Sequence, residues 1–392
     1  MQTPISAPAS VSVDLFKLAV SDEALSDLRS RLLNTRWPER ETVADWSQGV
    51  PLERIKALCE YWARDYDWRR CEARLNALGQ YRTNIDGLRI HFLHIRSREP
   101  NALPLLLTHG WPGSVVEFLD VIGPLTDPAA HGGDGADAFH LVIPSLPGFG
   151  FSDKPTGTGW GVERIAAAWI SLMKRLGYQR YFAQGGDWGA AVTTAIGMLA
   201  PPECAGVHLN MPLIYPDKTD LAELSEAEQA SVAAMKFYRS SDSGYAKQQR
   251  TRPQTLGYGL TDSPAGQAAW IYEKFYAWTD NRGEPESALS RDAMLDNIML
   301  YWLPATAASS ARLYWESLAF FRTQPLALPV GVTIYPKEFS RPSRRWAQRH
   351  LADIVHWNET DKGGHFAALE QPQLFVTELR DCFRKIRTGN RS

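Results

Sequence analysis

The first eighty residues alternate between polar and apolar positions with the period of an α-helix. In Asp22–Leu33 and Leu52–Trp68, apolar side chains recur every three or four residues, which is typical of amphipathic helices. Four tryptophans add further apolar surface to this segment: Trp37, Trp46, Trp62 and Trp68. Because these helices cannot bury such faces alone, we predict that residues 1–80 form a helical arm that packs on the rest of the protein.

Beyond this segment, short apolar runs replace the helical period. Tyr81–Ile85 and Leu88–Ile95 flank Asp86-Gly87 and predict a β-hairpin. Further predicted strands and helices then alternate along the chain, with strands at Leu103–Leu107, Leu141–Ile143, Tyr181–Ala183 and Val207–Leu209 and helices at Val162–Leu176 and Trp188–Leu199. Such alternation predicts a largely parallel sheet covered by helices.

The alternation stops between residues 211 and 324, where the chain is helical and rich in aromatic residues. It resumes with the predicted strands Val332–Ile334 and Ile354–Trp357 and a final helix, Pro372–Ile386. A helical insertion between two halves of one sheet is the lid arrangement of α/β-hydrolases, and it places a pocket between lid and sheet. We therefore predict an α/β-hydrolase fold with a mostly parallel eight-stranded sheet. Its expected parts are the arm (1–80), a first core part (81–210), the lid (211–324) and a second core part (325–392).

Composition and charge argue against several classes of protein. The formal net charge of −2 gives no reason to expect a nucleic-acid or anionic-membrane partner. The four cysteines form no C-x-x-C pair, which argues against a zinc ribbon or a redox motif. The first residues lack the pattern of a signal peptide, and no apolar run approaches the roughly 20 residues of a membrane helix. The sequence therefore predicts a soluble, cytoplasmic protein without a membrane anchor.

A candidate nucleophile lies in the segment Gln184-Gly185-Gly186-Asp187-Trp188-Gly189, between a predicted strand and a predicted helix. This pattern is typical of a nucleophile elbow, in which small residues let strand and helix approach closely. Asp187 stands where a lipase or esterase has serine. A carboxylate needs no base, and it attacks saturated carbon to give an alkyl-enzyme ester. The alternative is that Asp187 only caps the helix that follows.

Two backbone amides are candidates for an oxyanion hole. The segment His109-Gly110-Trp111-Pro112-Gly113-Ser114 directly follows a predicted strand. In α/β-hydrolases the loop after this strand supplies one N–H group, and the residue after the nucleophile supplies the other. These would be the amides of Trp111 and Trp188, and they would stabilise the anion formed when water attacks the ester. A simple Pro-Gly turn is the alternative.

A candidate base and its partner follow the last two predicted strands. His365 comes after Gly363-Gly364 and fits the chain order nucleophile, acid, histidine. It would activate the hydrolytic water as a general base. Glu338 follows the end of a strand and would orient the histidine and stabilise its charged form. Asp353 and Asp361 remain alternatives for this role.

These segments together resemble the microsomal-type epoxide hydrolases, including their soluble microbial members. The resemblance spans nearly the whole chain and also includes Thr35-Arg36-Trp37-Pro38, Tyr66-Asp67-Trp68-Arg69, Pro147-Gly148-Phe149-Gly150 and Gly364-His365-Phe366-Ala367. It implies two lid tyrosines that hydrogen-bond the epoxide oxygen, which match Tyr245 and Tyr314 here. A phenol suits this task because an alkoxide is a poor leaving group and needs an acid.

The resemblance implies hydrolysis of an epoxide to a vicinal diol without a metal or organic cofactor. A small apolar epoxide is the expected substrate because the lid carries many aromatic side chains, and the alternative is that most of them are simply core: Trp270, Phe275, Trp278, Trp302, Trp315 and Phe320. A homodimer formed through the helical arm is a further possibility. One alternative is a hydrolytic haloalkane-type dehalogenase, in which the Trp188 indole would bind halide. Another is a non-catalytic, hydrolase-like ligand-binding protein.

Overall fold

A nine-stranded sheet forms the centre of the protein. The structure is a computed structural model, and it describes residues 12–317 and 325–389. In chain order the strands are β1 (Val13–Leu15), β2 (Gln80–Ile85), β3 (Leu88–Ile95), β4 (Leu103–Thr108), β5 (Phe139–Pro144), β6 (Tyr181–Gly185), β7 (Cys204–Leu209), β8 (Leu326–Ile334) and β9 (Leu351–Glu359). The predicted α/β-hydrolase fold is confirmed, and the sheet has one strand more than the eight predicted. That strand is β1, whose three residues are too short to show a period of two and lie in the segment predicted to be helical.

The sheet is antiparallel at one edge and parallel elsewhere. Its strand order is β1-β2-β3-β5-β4-β6-β7-β8-β9. The pairs β1–β2, β2–β3 and β3–β5 are antiparallel. The pairs β5–β4, β4–β6, β6–β7, β7–β8 and β8–β9 are parallel. The carboxyl ends of β4, β6, β8 and β9 therefore lie at one edge, which is where open α/β sheets bind ligands.

The helices flank the sheet and form the arm and the lid. They are α1 (Asp22–Leu33), α2 (Leu52–Arg64), α3 (Trp68–Asn76), α4 (Leu119–Thr126), α5 (Val162–Arg175), α6 (Trp188–Leu199), α7 (Glu226–Phe237), α8 (Gly244–Thr251), α9 (Pro253–Asp262), α10 (Pro264–Trp278), α11 (Arg291–Trp302), α12 (Ala307–Glu316), α13 (Arg344–Ala347), α14 (Ala367–Glu370) and α15 (Pro372–Thr388). Over residues 12–317 and 325–389, none of them is long and apolar enough to cross a membrane.

The arm differs from the prediction in one respect, because the helix expected over Leu52–Trp68 ends at Arg64 and a separate helix begins at Trp68. The first helix ends with Asp65 as its C-cap, and Asp67 begins the next helix, since its side chain accepts the backbone N–H of Arg69 as an N-cap. An aspartate in this position competes with helix continuation, which the apolar period alone does not show.

The arm packs on the lid. Trp46 stacks on Tyr276 of α10 with ring centroids 3.9 Å apart. The buried hydroxyl of Tyr66 donates to Asp296 of α11 at 2.7 Å, and Arg70 donates to the same carboxylate at 2.8 Å. The arm therefore holds lid helices in place. The division into four parts and the homodimer stay predictions.

The lid lies between β7 and β8, where the described residues form helices α7 to α12. Its two predicted site residues are on different helices, Tyr245 on α8 and Tyr314 on α12. Residues 318–324, which include the predicted lid residue Phe320 and the predicted end of the lid, lie outside the described residues.

Candidate active site

Asp187 occupies a tight turn between β6 and α6. Its backbone has φ 51° and ψ −125°, in the left-handed region that costs a non-glycine residue about 1–3 kcal/mol. A Cβ atom at Gly185 would overlap the carbonyl of Gly189, and one at Gly189 would overlap the carbonyl of Thr108. The two glycines therefore permit the close approach of strand and helix that raises Asp187 above the sheet.

The Asp187 carboxylate is held by backbone donors. Its Oδ1 accepts the N–H of Trp111 at 2.8 Å, and the N–H of Trp188 also donates to it. A Cβ atom at Gly110 would overlap the Asp187 side chain, so this loop position must stay small. The structure thus brings both predicted oxyanion amides to the carboxylate whose ester they would stabilise.

The predicted base and acid meet at the same edge of the sheet. His365 Nε2 lies 3.5 Å from Asp187 Oδ2, and His365 Nδ1 donates to Glu338 Oε2 at 2.8 Å. Both Glu338 and His365 are buried. Of the two alternatives, Asp361 is exposed, and Asp353 lies within β9 opposite Pro329 of β8. The geometry therefore favours Glu338 as the partner of His365.

Charge and burial set the protonation of this group. Burial lowers the pKa of His365, but the carboxylates of Glu338 and Asp187 outweigh it and raise that pKa to about 9. Burial raises the pKa of Asp187, which the charge of His365 and the N–H groups of Trp111 and Trp188 oppose. Each charge stabilises the other, so neutralising Asp187 would lower the pKa of His365.

A cavity of about 530 Å³ opens above Asp187 toward the lid. Tyr245 and Tyr314 both line it, with ring centroids 5.9 Å apart and ring planes at 82°. Tyr245 stacks on Trp111 at 4.8 Å, and Tyr314 meets Trp188 edge-on at 4.7 Å. Burial raises the pKa of both hydroxyl groups well above the ordinary value, so both remain protonated donors at neutral pH. The structure therefore brings the two predicted tyrosines to one face of the carboxylate.

The described side chains offer no obvious metal centre. Across residues 12–317 and 325–389, no three His, Cys, Asp or Glu side chains cluster in a way that could hold a metal ion.

The sequence and fold match known proteins over most of the chain. Residues 13–118 match the family model for the epoxide hydrolase N terminus, and residues 104–381 match the model for the alpha/beta hydrolase fold. A Stigmatella aurantiaca protein named as a candidate epoxide hydrolase is 61% identical over 95% of this chain and 85% of its own length. Epoxide hydrolase 1 of Oryctolagus cuniculus is 34% identical over 94% of this chain and 88% of its own length. The chain belongs to the epoxide hydrolase family.

Solved structures of epoxide hydrolases share this fold. The Bombyx mori juvenile hormone epoxide hydrolase superposes with a TM-score of 0.89 at 31% identity, covering 97% of this chain and 96% of that one. The Aspergillus niger epoxide hydrolase gives a TM-score of 0.86 at 32% identity, covering 96% and 97%. The predicted resemblance and the predicted enzyme class are confirmed. The dehalogenase and the non-catalytic binding protein are set aside.

The described lid tryptophans and phenylalanines of this epoxide hydrolase do not form the wall of the cavity above Asp187. Of the six that suggest an apolar substrate, five lie within the described residues, and none of these five is on that wall: Trp270, Phe275, Trp278, Trp302 and Trp315. Aromatic side chains are equally suited to packing between helices, and Phe275 packs on Phe366 with centroids 4.9 Å apart. The apolar wall instead includes Met211, Leu213 and Phe339.

Two further sets of contacts near the site were not predicted from the sequence, those of Tyr238 and those of Trp278 with His365. The Tyr238 hydroxyl lies 3.0 Å from that of Tyr245 and also faces the cavity. Trp278 packs on the His365 ring at 4.8 Å, and its carbonyl accepts the His365 N–H at 2.9 Å. Because both depend on how the lid folds over the sheet, no local sequence pattern identifies them.

Proposed function

We propose that this epoxide hydrolase converts an apolar epoxide and water to a vicinal diol through an alkyl ester on Asp187. One observation carries the proposal. Asp187 faces a cavity lined by Tyr245 and Tyr314, while its carboxylate binds the Trp111 amide and lies 3.5 Å from His365. This arrangement supplies a nucleophile, acids for the leaving oxygen and a base for the second step.

The first step is ring opening. Tyr245 and Tyr314 would hydrogen-bond the epoxide oxygen from the lid side while a carboxylate oxygen of Asp187 attacks a ring carbon. The carbon–oxygen bond of the ring breaks, and one tyrosine gives its proton to the departing oxygen. The product is a hydroxyalkyl ester of Asp187. The apolar wall of Met211, Leu213 and Phe339 supports an apolar substrate.

The second step is hydrolysis of the ester. Esterification removes the negative charge of Asp187, so the pKa of His365 falls and the ring first releases its proton to solvent. The neutral ring can then accept a proton from water. The water oxygen bonds to the ester carbonyl carbon, and the amides of Trp111 and Trp188 stabilise the anion. His365 then protonates the departing diol oxygen, and the acid proton left on Asp187 restores the tyrosine. Once Asp187 is charged again, His365 regains its own proton from solvent.

Oxygen labelling in a single turnover tests this route. With excess enzyme in water enriched in ¹⁸O, the oxygen added to the first diol should come from Asp187 and carry no label, whereas Asp187 itself becomes labelled. Enzyme labelled by repeated turnover and returned to ordinary water should release labelled diol, and Asp187→Ala should release none. Solvent oxygen in the first diol would contradict the ester on Asp187.

A further inference from the structure

A second, much smaller cavity touches Asp187. Its volume of about 20 Å³ is sufficient for one water molecule. The wall includes Asp187, His365 and Glu117, together with Thr108 and Gln184. Oγ1 of Thr108 and Oε1 of Gln184 are buried and have no hydrogen-bond partner among the described residues. Since buried polar atoms are nearly always paired, these side chains indicate a site for a polar ligand.

Glu117 is built into this wall by the loop that forms the oxyanion hole. It lies in the short 3₁₀ turn Val115–Phe118, and the N–H of Ser114 donates to its carboxyl group. A Cβ atom at Gly113 would overlap Glu117 Oε1, so the glycine makes room for the carboxyl group. In the same loop Gly110 makes room for Asp187. One loop therefore positions both carboxyl groups.

The surroundings of Glu117 favour its neutral form. Burial raises the pKa of Glu117 to about 8, while the charge of His365 opposes this rise and that of Asp187 supports it. A neutral carboxyl group keeps a carbonyl oxygen that accepts hydrogen bonds. It also adds no negative charge beside His365, which must lose its proton to act as a base.

The two cavities separate the groups of the two chemical steps. Asp187 lines both of them. Tyr245 and Tyr314 line only the larger one, and His365 and Glu117 line only the smaller one. An epoxide held by the tyrosines would therefore leave the smaller cavity accessible to a water molecule beside the base.

We propose that the small cavity binds the water that hydrolyses the Asp187 ester, and that Glu117 holds this water by accepting a hydrogen bond from it. This inference rests on the proposed ester mechanism. His365 Nε2 removes the second proton of the water as the water oxygen bonds to the carbonyl carbon of the ester. Thr108 and Gln184 complete the polar surroundings of the water. Glu117 thus positions the second reactant and takes no part in ring opening.

Separate measurement of the two steps tests this role. Rapid mixing followed by mass spectrometry of the intact protein gives the rates of ester formation and ester decay for the wild type, Glu117→Met and Glu117→Gln. We expect Glu117→Met to slow decay about tenfold or more, because a hydrogen bond to the reacting water is lost. Ester formation should change less than about twofold. Glu117→Gln keeps an acceptor oxygen of the same reach and should recover most of the decay rate.

Controls distinguish positioning from a general loss of structure. Glu378→Gln changes another buried glutamate, which binds Thr333, His356 and Asn358 and does not line either cavity. It should leave both rates unchanged. If Glu117→Met does not fold, Glu117→Asp replaces it in the experiment. The shorter aspartate side chain moves the acceptor oxygen away from the water, so this variant should slow ester decay more than Glu117→Gln does.

The outcomes that would overturn the inference differ from those that would overturn the ester mechanism. Wild-type decay in Glu117→Met, equal decay in the Asp and Gln variants, or an equal slowing of both steps would each contradict the role of Glu117. Failure to observe any ester in the wild type, together with solvent oxygen in the first diol, would contradict the mechanism itself.

Discussion

The loop of residues 109–114 (the oxyanion loop), which carries the proposed oxyanion amide of Trp111, is anchored from the lid. Tyr301→Phe should weaken that anchor measurably. Tyr301 of α11 is 2% exposed, and its hydroxyl donates to the carbonyl of Gly113 at 2.7 Å. Phenylalanine fills the same space, so the change removes the hydrogen bond without creating a large cavity. The Gly113 carbonyl would lose this buried donor, and we expect the free energy of unfolding to fall by about 1–3 kcal/mol.

Tyr272→Phe provides a matched control. The Tyr272 ring is also buried, but its hydroxyl donates to the carboxylate of Glu286, whose side chain is 26% exposed and can bind water instead. We expect the control to lose less than about 1 kcal/mol. Urea unfolding of the two variants and the wild type measures the difference. Equal losses in Tyr301→Phe and Tyr272→Phe would refute the anchoring argument.

The same variant should affect catalysis, because Gly113 is two residues from the Trp111 amide. Removing an oxyanion donor outright costs about 100- to 1000-fold in rate. Tyr301→Phe leaves Asn297, whose side chain donates to the Pro112 carbonyl at 2.7 Å, so the loop is loosened and the donor is retained. Ester decay in rapid-mixing experiments should therefore slow by less than about 100-fold, and Tyr272→Phe should leave it unchanged.

Further predictions concern the proposed catalytic groups. His365→Gln should still form the Asp187 ester, since the 3.5 Å separation of His365 from Asp187 is not a hydrogen bond that holds the nucleophile. The variant should slow decay of the ester by about 100- to 10,000-fold. Intact-protein mass spectrometry would show the adduct, and its absence would contradict the role of His365 as the base. Tyr245→Phe and Tyr314→Phe should each slow ester formation more than ester decay, and an equal effect on both steps would argue against their role as acids. Although burial lowers the pKa of His365, Glu338 and Asp187 raise it to about 9, so the charged form of His365 stabilises the fold. This stabilisation is complete below pH 6.5, and up to about 3 kcal/mol of it is lost as the pH rises to 9. Urea unfolding across this range should show a steeper decline of the free energy of unfolding for the wild type than for His365→Gln.

Much of the fold could be predicted because its strands and the core helices between them are locally encoded. The apolar runs predicted every strand except β1, and the helix α6 has its predicted bounds, Trp188–Leu199. Parallel strands place their carboxyl ends at one edge, so Asp187, Glu338 and His365 could be expected to meet even though they are distant in sequence. Their order and their positions after strands were sufficient for that expectation.

The residues that the sequence did not identify depend on contacts between distant elements. Glu117 follows the oxyanion loop without a motif of its own, and its importance is visible only from the cavity it shares with His365. Tyr238 and Trp278 reach the site because the lid folds onto the sheet, which no periodicity encodes. The choice among Glu338, Asp353 and Asp361 likewise required a distance, the 2.8 Å between His365 Nδ1 and Glu338 Oε2.

The position of Asp187 between two cavities would allow one carboxylate to serve both steps of the proposed mechanism. Ring opening requires the anion to meet an apolar epoxide, and hydrolysis requires the resulting ester to meet an activated water. If both reactants entered one open pocket, water would solvate the anion and weaken its attack. Here the proposed acids Tyr245 and Tyr314 line one cavity and the proposed base His365 lines the other, so an epoxide could bind while water remained on the side of His365 and Glu117. Because the proposed ester would remove the charge that raises the pKa of His365, the proposed base would gain its function only after the first step is complete.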